Sequence, residues 1–249
     1  MTELVLDTKT VKIPHDSLQI TAYLAQPQAP GSYPGVVVLQ EIFGVNEHIR
    51  DVTERIAKLG YVAIAPALFQ RVAPGFETGY TPEDIEIGRK YAWEQTQVSQ
   101  LLGDIQAAID YLKTLPQVKP DGFGCIGFCF GGHVAYLAAT LPDITATASF
   151  YGAGIPTRTP GNGNPSITRT PDIKGTIYVF FGTADASIPS DHVNQITTEL
   201  EKYNIYHRMF RYDGADHGFF CDRRASYHPA AAADAWEQVK QLFGTVLTA

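Results

Sequence analysis

The sequence predicts a doubly wound, mostly parallel α/β sheet that begins with an antiparallel hairpin. Three observations predict it. Short apolar, β-branched runs such as Val36-Val37-Val38-Leu39 alternate with helical patterns, as strands covered on both faces require. The first two strand patterns instead alternate in polarity about the turn His15-Asp16-Ser17. The chain has 249 residues and 45% hydrophobic content, enough for one large core, so a single domain over 1–249 is expected.

Taken in order, residues 11–14 and 18–25 are the hairpin, and 34–39 is the first fully covered strand. Residues 47–59 read as a helix because Ile49, Val52, Ile56 and Leu59 share one face and Gly60 can end it. A strand over 61–65 follows. The alternation continues with a helix at 101–115, a strand at 122–128, a helix at 132–140 and strands at 146–151 and 176–181. A helix at 189–203, a strand at 206–212 and a helix at 230–247 close the chain. Two segments break this rhythm. Residues 69–91 are polar and punctuated by Gly and Pro, and 154–174 are rich in Pro, Gly, Thr and Asn. Both leave the carboxyl ends of strands, where open α/β sheets bind ligands, so each is either a cap over a site or a surface insertion.

Bulk properties exclude several functions. The net charge is −7 and no Lys/Arg run is dense enough to follow a phosphate backbone, so nucleic acid is not an expected partner. Met1-Thr2-Glu3-Leu4 lacks a basic leader segment, and no apolar stretch approaches the roughly 18 residues of a membrane span. A cytoplasmic monomer without a membrane partner is the expectation. Three cysteines are an odd number, which argues against a disulfide framework and suits a reducing compartment.

The most informative stretch is Cys125-Ile126-Gly127-Phe128-Cys129-Phe130-Gly131-Gly132-His133. It joins a predicted strand to a predicted helix through a glycine-flanked cysteine. Small residues around a nucleophile permit the strained strand-to-helix turn that exposes its side chain at the top of a sheet. Such a nucleophile needs a base, and the base needs an orienting acid. Asp185 follows the strand at 176–181 and His217 follows the strand at 206–212, so all three fall just beyond strand ends. Asp213 and Asp216 are alternative acids beside His217. A buried structural cysteine, a turn-forming Asp185 and a strand-capping Glu41 are the non-catalytic alternatives. Cys125 reads as core and Cys221 as a bystander. His133 reads as packing or rim. His15, His48, His192, His207 and His228 show no metal-ligand spacing, so no metal or other cofactor is expected.

Four segments together resemble the dienelactone hydrolase (carboxymethylenebutenolidase) family over nearly the whole chain: Gln40-Glu41-Ile42-Phe43-Gly44-Val45-Asn46, Gly127-Phe128-Cys129-Phe130-Gly131-Gly132, Gly182-Thr183-Ala184-Asp185 and Ala215-Asp216-His217-Gly218-Phe219. The resemblance implies an α/β-hydrolase fold, no metal, and opening of small enol-lactones. It implies Cys129 as nucleophile, Asp185 as orienting acid, His217 as base, and backbone N–H groups of Ile42 and Phe130 as the oxyanion hole. It also implies that Glu41 contacts the thiol, either holding it protonated or accepting its proton. Family arginines hold the substrate carboxylate from a cap loop and from shortly after the histidine. Here Arg71 and Arg89 flank the first long segment and Arg223 and Arg224 follow His217 at shifted offsets, with Cys221 nearer the implied position. Arg89 and Arg223 are the expected clamp. The expected activity is hydrolysis of a small lactone or activated ester through a thioester. A broad carboxylesterase or thioesterase, and a non-catalytic small-molecule binding protein, are the competing readings.

Overall fold

In the computed structural model, β1 (Leu6–His15) and β2 (Leu18–Pro27) pair antiparallel along their whole length around a turn where Asp16 has φ 51°. The structure describes residues 4–247. The expected lack of a leader at Met1–Glu3 and both ends of the expected 1–249 domain lie outside the described residues. β3 (Gly35–Leu39) and β4 (Val62–Pro66) follow, then β5 (Phe123–Phe128), β6 (Ile144–Phe150), β7 (Thr176–Gly182) and β8 (His207–Tyr212). The sheet order is β1-β2-β4-β3-β5-β6-β7-β8; β2 meets β4 antiparallel and every later pair is parallel. This is the α/β-hydrolase fold with the antiparallel start that the sequence predicted.

Continuous apolar strands are needed because both faces are covered. Val36 and Val38 enter one core with Ile49, Val52 and Ile56 of α1 (Glu47–Lys58) and Ala235, Val239 and Phe243 of α6 (Pro229–Val246). Val37 and Leu39 enter the other with Leu101, Ile105 and Ile109 of α3 (Val98–Lys113) and Val134, Ala135 and Ala138 of α4 (Phe130–Ala138). Alternate Cβ atoms point to opposite faces, so five consecutive buried residues feed two cores. α5 (Ser190–Lys202) follows β7. From β3 the chain turns to β4 on one side, while β5 lies on the other. The crevice at the carboxyl ends of β3 and β5 is therefore a topological switch point.

The segment 69–91 departs from the expected loop. Residues Pro82–Lys90 form α2, continued by a π-helical turn, Tyr91–Gln95. Its start is a capping box: the Thr81 side chain accepts from Asp84 N at 3.3 Å, and Asp84 Oδ2 accepts from Thr81 N at 3.0 Å. Thr81-Pro82-Glu83-Asp84 carried that signal, but the polar composition that follows hid it. The segment 154–174 is mostly irregular, with a 3₁₀ turn over Ser166–Asp172.

Candidate active site

The backbone at Cys129 is strained, with φ 55° and ψ −116°, between β5 and α4. An L-residue pays for this geometry, so the surroundings must hold it. Cys129 N donates to Phe150 O at 3.0 Å and Cys129 O accepts from His133 N at 3.1 Å. The flanking glycines are required by contact: a Cβ on Gly127 would overlap Gly131 O, and one on Gly132 would overlap Phe150 O. Because the Cys129 N–H is committed, the next N–H is Phe130, the first residue of α4, which has no acceptor one turn earlier within the helix.

His217 comes from the loop after β8. Its Nδ1 donates to Asp185 Oδ2 at 2.7 Å, and Asp185 Oδ1 accepts from Ser187 N at 2.8 Å. Asp185 is buried, with 4% exposure. With Nδ1 committed to the carboxylate, Nε2 is left for the Cys129 sulfur, which acts on the ring as hydrogen-bond and charge partner. Burial opposes charge on His217, but Cys129 and Asp185 together outweigh it and raise its pKa to about 10. The alternative acids do not reach the ring: Asp216 Oδ1 accepts from the His217 backbone N and Asp213 from Thr183 Oγ1. Tyr151 packs edge-on against the imidazole at 5.2 Å.

Cys129 and His217 open into a cavity of about 350 Å³ whose walls include Ile42, Phe43, Ile85, Trp93 and Phe130. Arg89, Arg158 and Arg224 also line it, from α2, from the segment 154–174 and from the loop after His217. Both long segments therefore reach the site. A larger open groove of about 650 Å³ lies between the 3₁₀ turn and α5, but its lining of Thr168, Asn194, Gln195, Glu199 and neighbours includes no candidate catalytic group.

Glu41 lies two residues beyond the end of β3, 1% exposed. Its Oε1 accepts from Arg224 Nη1 at 3.0 Å, whereas its Oε2 is buried without a partner. The contact implied by the resemblance was with the Cys129 thiol; the hydrogen bond formed is to Arg224. This also corrects the expected clamp. Arg223 pairs with Glu47 at 2.8 Å on the surface and is not among the cavity residues, whereas its neighbour Arg224 is. Arg71 is held by buried Asp104 at 2.6 Å and by Asp16. Arg89 does line the cavity.

Arg158 was not anticipated. Its guanidinium lies 3.5 Å from the Trp93 ring centroid, a stacking that requires the fold, although its place in a loop leaving a strand end was a usable sign. His133 explains how that loop is fixed. It is fully buried, its Nδ1 donating to Ala153 O at 2.8 Å and its Nε2 meeting Ser166 Oγ at 2.7 Å. Burial lowers its pKa to about 4, so it stays neutral. Cys125 is core, as expected, and all three cysteines are free thiols. Cys221 is buried beside Tyr80, whose hydroxyl is 3.5 Å from Sγ. Among the described residues, Glu41, His48 and Cys221 bring three donor atoms within 4.8 Å of one another, a grouping that linear spacing did not disclose.

The dienelactone hydrolase family model matches residues 20–247. The chain belongs to the dienelactone hydrolase family. This dienelactone hydrolase homologue is 61% identical over 246 residues to a Synechocystis protein named “Putative carboxymethylenebutenolidase”, covering 98% of this chain and 100% of that one. It is 33% identical over 217 residues to a Bradyrhizobium protein named “Probable 2-oxo-3-(5-oxofuran-2-ylidene)propanoate lactonase”, covering 86% and 85%. The crystal structure of a “Putative Dienelactone Hydrolase” from Klebsiella pneumoniae superposes with TM-score 0.87 at 31% identity, covering 96% of this chain and 99% of that one. The protein is thus an enzyme of the carboxylic ester hydrolase kind. Among the described residues no helix is long and apolar enough to cross a membrane.

Proposed function

We propose that this dienelactone hydrolase opens a small, carboxylate-bearing lactone through a thioester on Cys129. The observation that carries the reading is the His217–Asp185 pair, 2.7 Å apart, whose histidine shares one cavity with a cysteine held in strained backbone geometry. The Cys129 thiolate attacks the lactone carbonyl carbon, and the carbonyl electron pair moves to oxygen. Backbone N–H groups of Ile42 and Phe130 receive that oxyanion. Collapse breaks the ring C–O bond, and the leaving oxygen takes the proton from His217, directly or by way of solvent, which leaves the imidazole neutral. Water then attacks the thioester as His217 Nε2 accepts its proton, and the thiolate departs.

Glu41 and Arg224 set the charge around the thiol. A buried carboxylate alone opposes a thiolate. Arg224, which interacts with both Glu41 and Cys129, offsets that repulsion. Arg89 and Arg158 carry no ion pair with a described carboxylate, and their mutual repulsion favours an anion between them. A substrate carboxylate fits there, in keeping with the propanoate in the name of the Bradyrhizobium relative.

Mass spectrometry after rapid mixing with an activated ester tests the reading. A thioester adduct on Cys129, absent in Cys129→Ala together with turnover, is the expected result. Turnover retained by Cys129→Ala refutes it.

A further inference from the structure

Directly behind the cavity wall, three side chains from distant parts of the chain converge. Glu41 lies two residues beyond β3, His48 lies in the first turn of α1, and Cys221 follows the His217 loop. One carboxylate oxygen, one imidazole nitrogen and the thiol sulfur lie within 4.8 Å of one another. All three residues are buried, at 1%, 2% and 0% exposure.

The hydrogen bonding there is incomplete. Glu41 Oε2 and His48 Nε2 are both buried without partners. The hydroxyl of Tyr151, fully buried and close enough to feel the charges of Glu41 and Cys221, is a third orphan. Buried polar atoms are nearly always paired, because leaving one unsatisfied costs about 1–3 kcal/mol. Two such atoms among three potential ligands point to a missing central partner. The reading is independent of the chemistry assigned to Cys129.

We propose that Glu41, His48 and Cys221 form a buried binding site for a borderline divalent cation of the zinc kind. One oxygen, one nitrogen and one sulfur donor match the ligand preferences of Zn²⁺, and with tetrahedral bonds of about 2.0–2.3 Å they would lie about 3.4–3.6 Å apart. The donors must therefore draw in by roughly 1 Å, a side-chain adjustment. A fourth position remains for water or a tyrosine hydroxyl.

Charge dictates what else moves. Binding converts the Cys221 thiol to a metal-bound thiolate and releases its proton to solvent. A divalent cation with Glu41 carboxylate and Cys221 thiolate is neutral as a set, so the Arg224 guanidinium becomes a surplus positive charge. Arg224, whose side chain is 17% exposed at the cavity, leaves Glu41 as the cation arrives. The cation and the guanidinium compete for one carboxylate.

Titration of metal-free, reduced full-length protein with Co²⁺ tests the site, because cobalt–thiolate bonding produces a near-ultraviolet charge-transfer band. Cys129→Ser removes the only other thiol at the cavity. The expected result in that background is a band saturating at one Co²⁺ per chain and displaced by Zn²⁺. Adding Cys221→Ser abolishes the band, adding His48→Gln weakens binding at least 10-fold, and adding Arg224→Gln strengthens it about 10-fold. Circular dichroism verifies that each variant is folded. A Cys129→Ser protein without the band overturns the proposal, since the orphaned atoms then face water alone. A band that survives Cys221→Ser, or an unchanged affinity in Arg224→Gln, overturns it equally.

Discussion

Replacing Asp185 by Asn tests the charge arrangement of the site most directly. The substitution is nearly isosteric and can keep a hydrogen bond to His217, but it removes the buried negative charge that lies 2.7 Å from Nδ1. Two unit charges about 4 Å apart attract by about 4 kcal/mol at an effective dielectric of about 20. That equals about 3 pKa units as an upper limit on the Asp185 share, because the Cys129 charge is the larger cause of the rise of His217 to about 10 and Asp185 adds to it. The imidazolium that stabilises the Cys129 thiolate is weakened, and kcat/KM for an activated ester falls by about 10²–10³-fold. Thiolate absorbance and iodoacetamide alkylation, followed against pH, read the ion pair independently of turnover. Both titrations should move upward together in Asp185→Asn. Asp213→Asn and Asp216→Asn should stay within about 3-fold of the wild type, because neither carboxylate meets the ring. An unchanged alkylation profile in Asp185→Asn, or a larger loss in Asp216→Asn, refutes the assignment.

Arg158→Gln and Arg89→Gln should each lower kcat/KM for a carboxylate-bearing lactone by about 10-fold while leaving a neutral p-nitrophenyl ester nearly unaffected; equal losses on both would remove the anion site. Arg223→Gln should do neither, since its partner is Glu47 on the surface. Gly132→Ala forces a methyl onto Phe150 O and should cost about 3 kcal/mol, lowering the melting temperature by roughly 6–12 °C in a scanning melt; a shift under 2 °C would show that the elbow is not closely packed. His133 has a folded pKa of about 4 against 6.5, so its contribution is present above pH 6.5 and is lost as pH falls through 4. Denaturant unfolding between pH 7 and 4.5 should show up to about 3 kcal/mol less acid sensitivity in His133→Asn than in the wild type. His217 is protonated throughout that window when folded, its pKa being raised to about 10, and takes up its proton near 6.5 when unfolded; that change is common to both proteins and cancels in the comparison.

Much of the fold was legible because strand burial leaves a plain trace: Val36 to Leu39 has no polar interruption, since each residue enters one core or the other. The four segments that meet in the site were legible for a related reason. Glycines beside Cys129 and turns after β7 and β8 are local demands of backbone geometry, and local demands are written in neighbouring residues. Arg224 against Arg223 was not legible. Adjacent side chains in a loop differ only in direction, and that direction is set by Glu41 and Phe43, some 180 residues away. Arg158 on Trp93 and the Glu41–His48–Cys221 cluster were hidden likewise, because each joins residues with no spacing rule between them. α2 is a different case, since its capping box stood in the sequence but its exposed face offered no apolar stripe to accompany it.

The π-helical turn at Tyr91–Gln95 makes one wall of the cavity dependent on a single inserted residue. It aims Trp93 at Phe130 and His133, at 5.5 and 5.1 Å between ring centroids, and sets the plate on which Arg158 lies. Loss of one codon there would restore α-helical winding and swing Trp93 by about 100° around the helix axis, leaving the elbow, the acid and the base where they are. Such a deletion would thus reshape the wall that carries the proposed anion site, at a place in the chain separate from Cys129, Asp185 and His217.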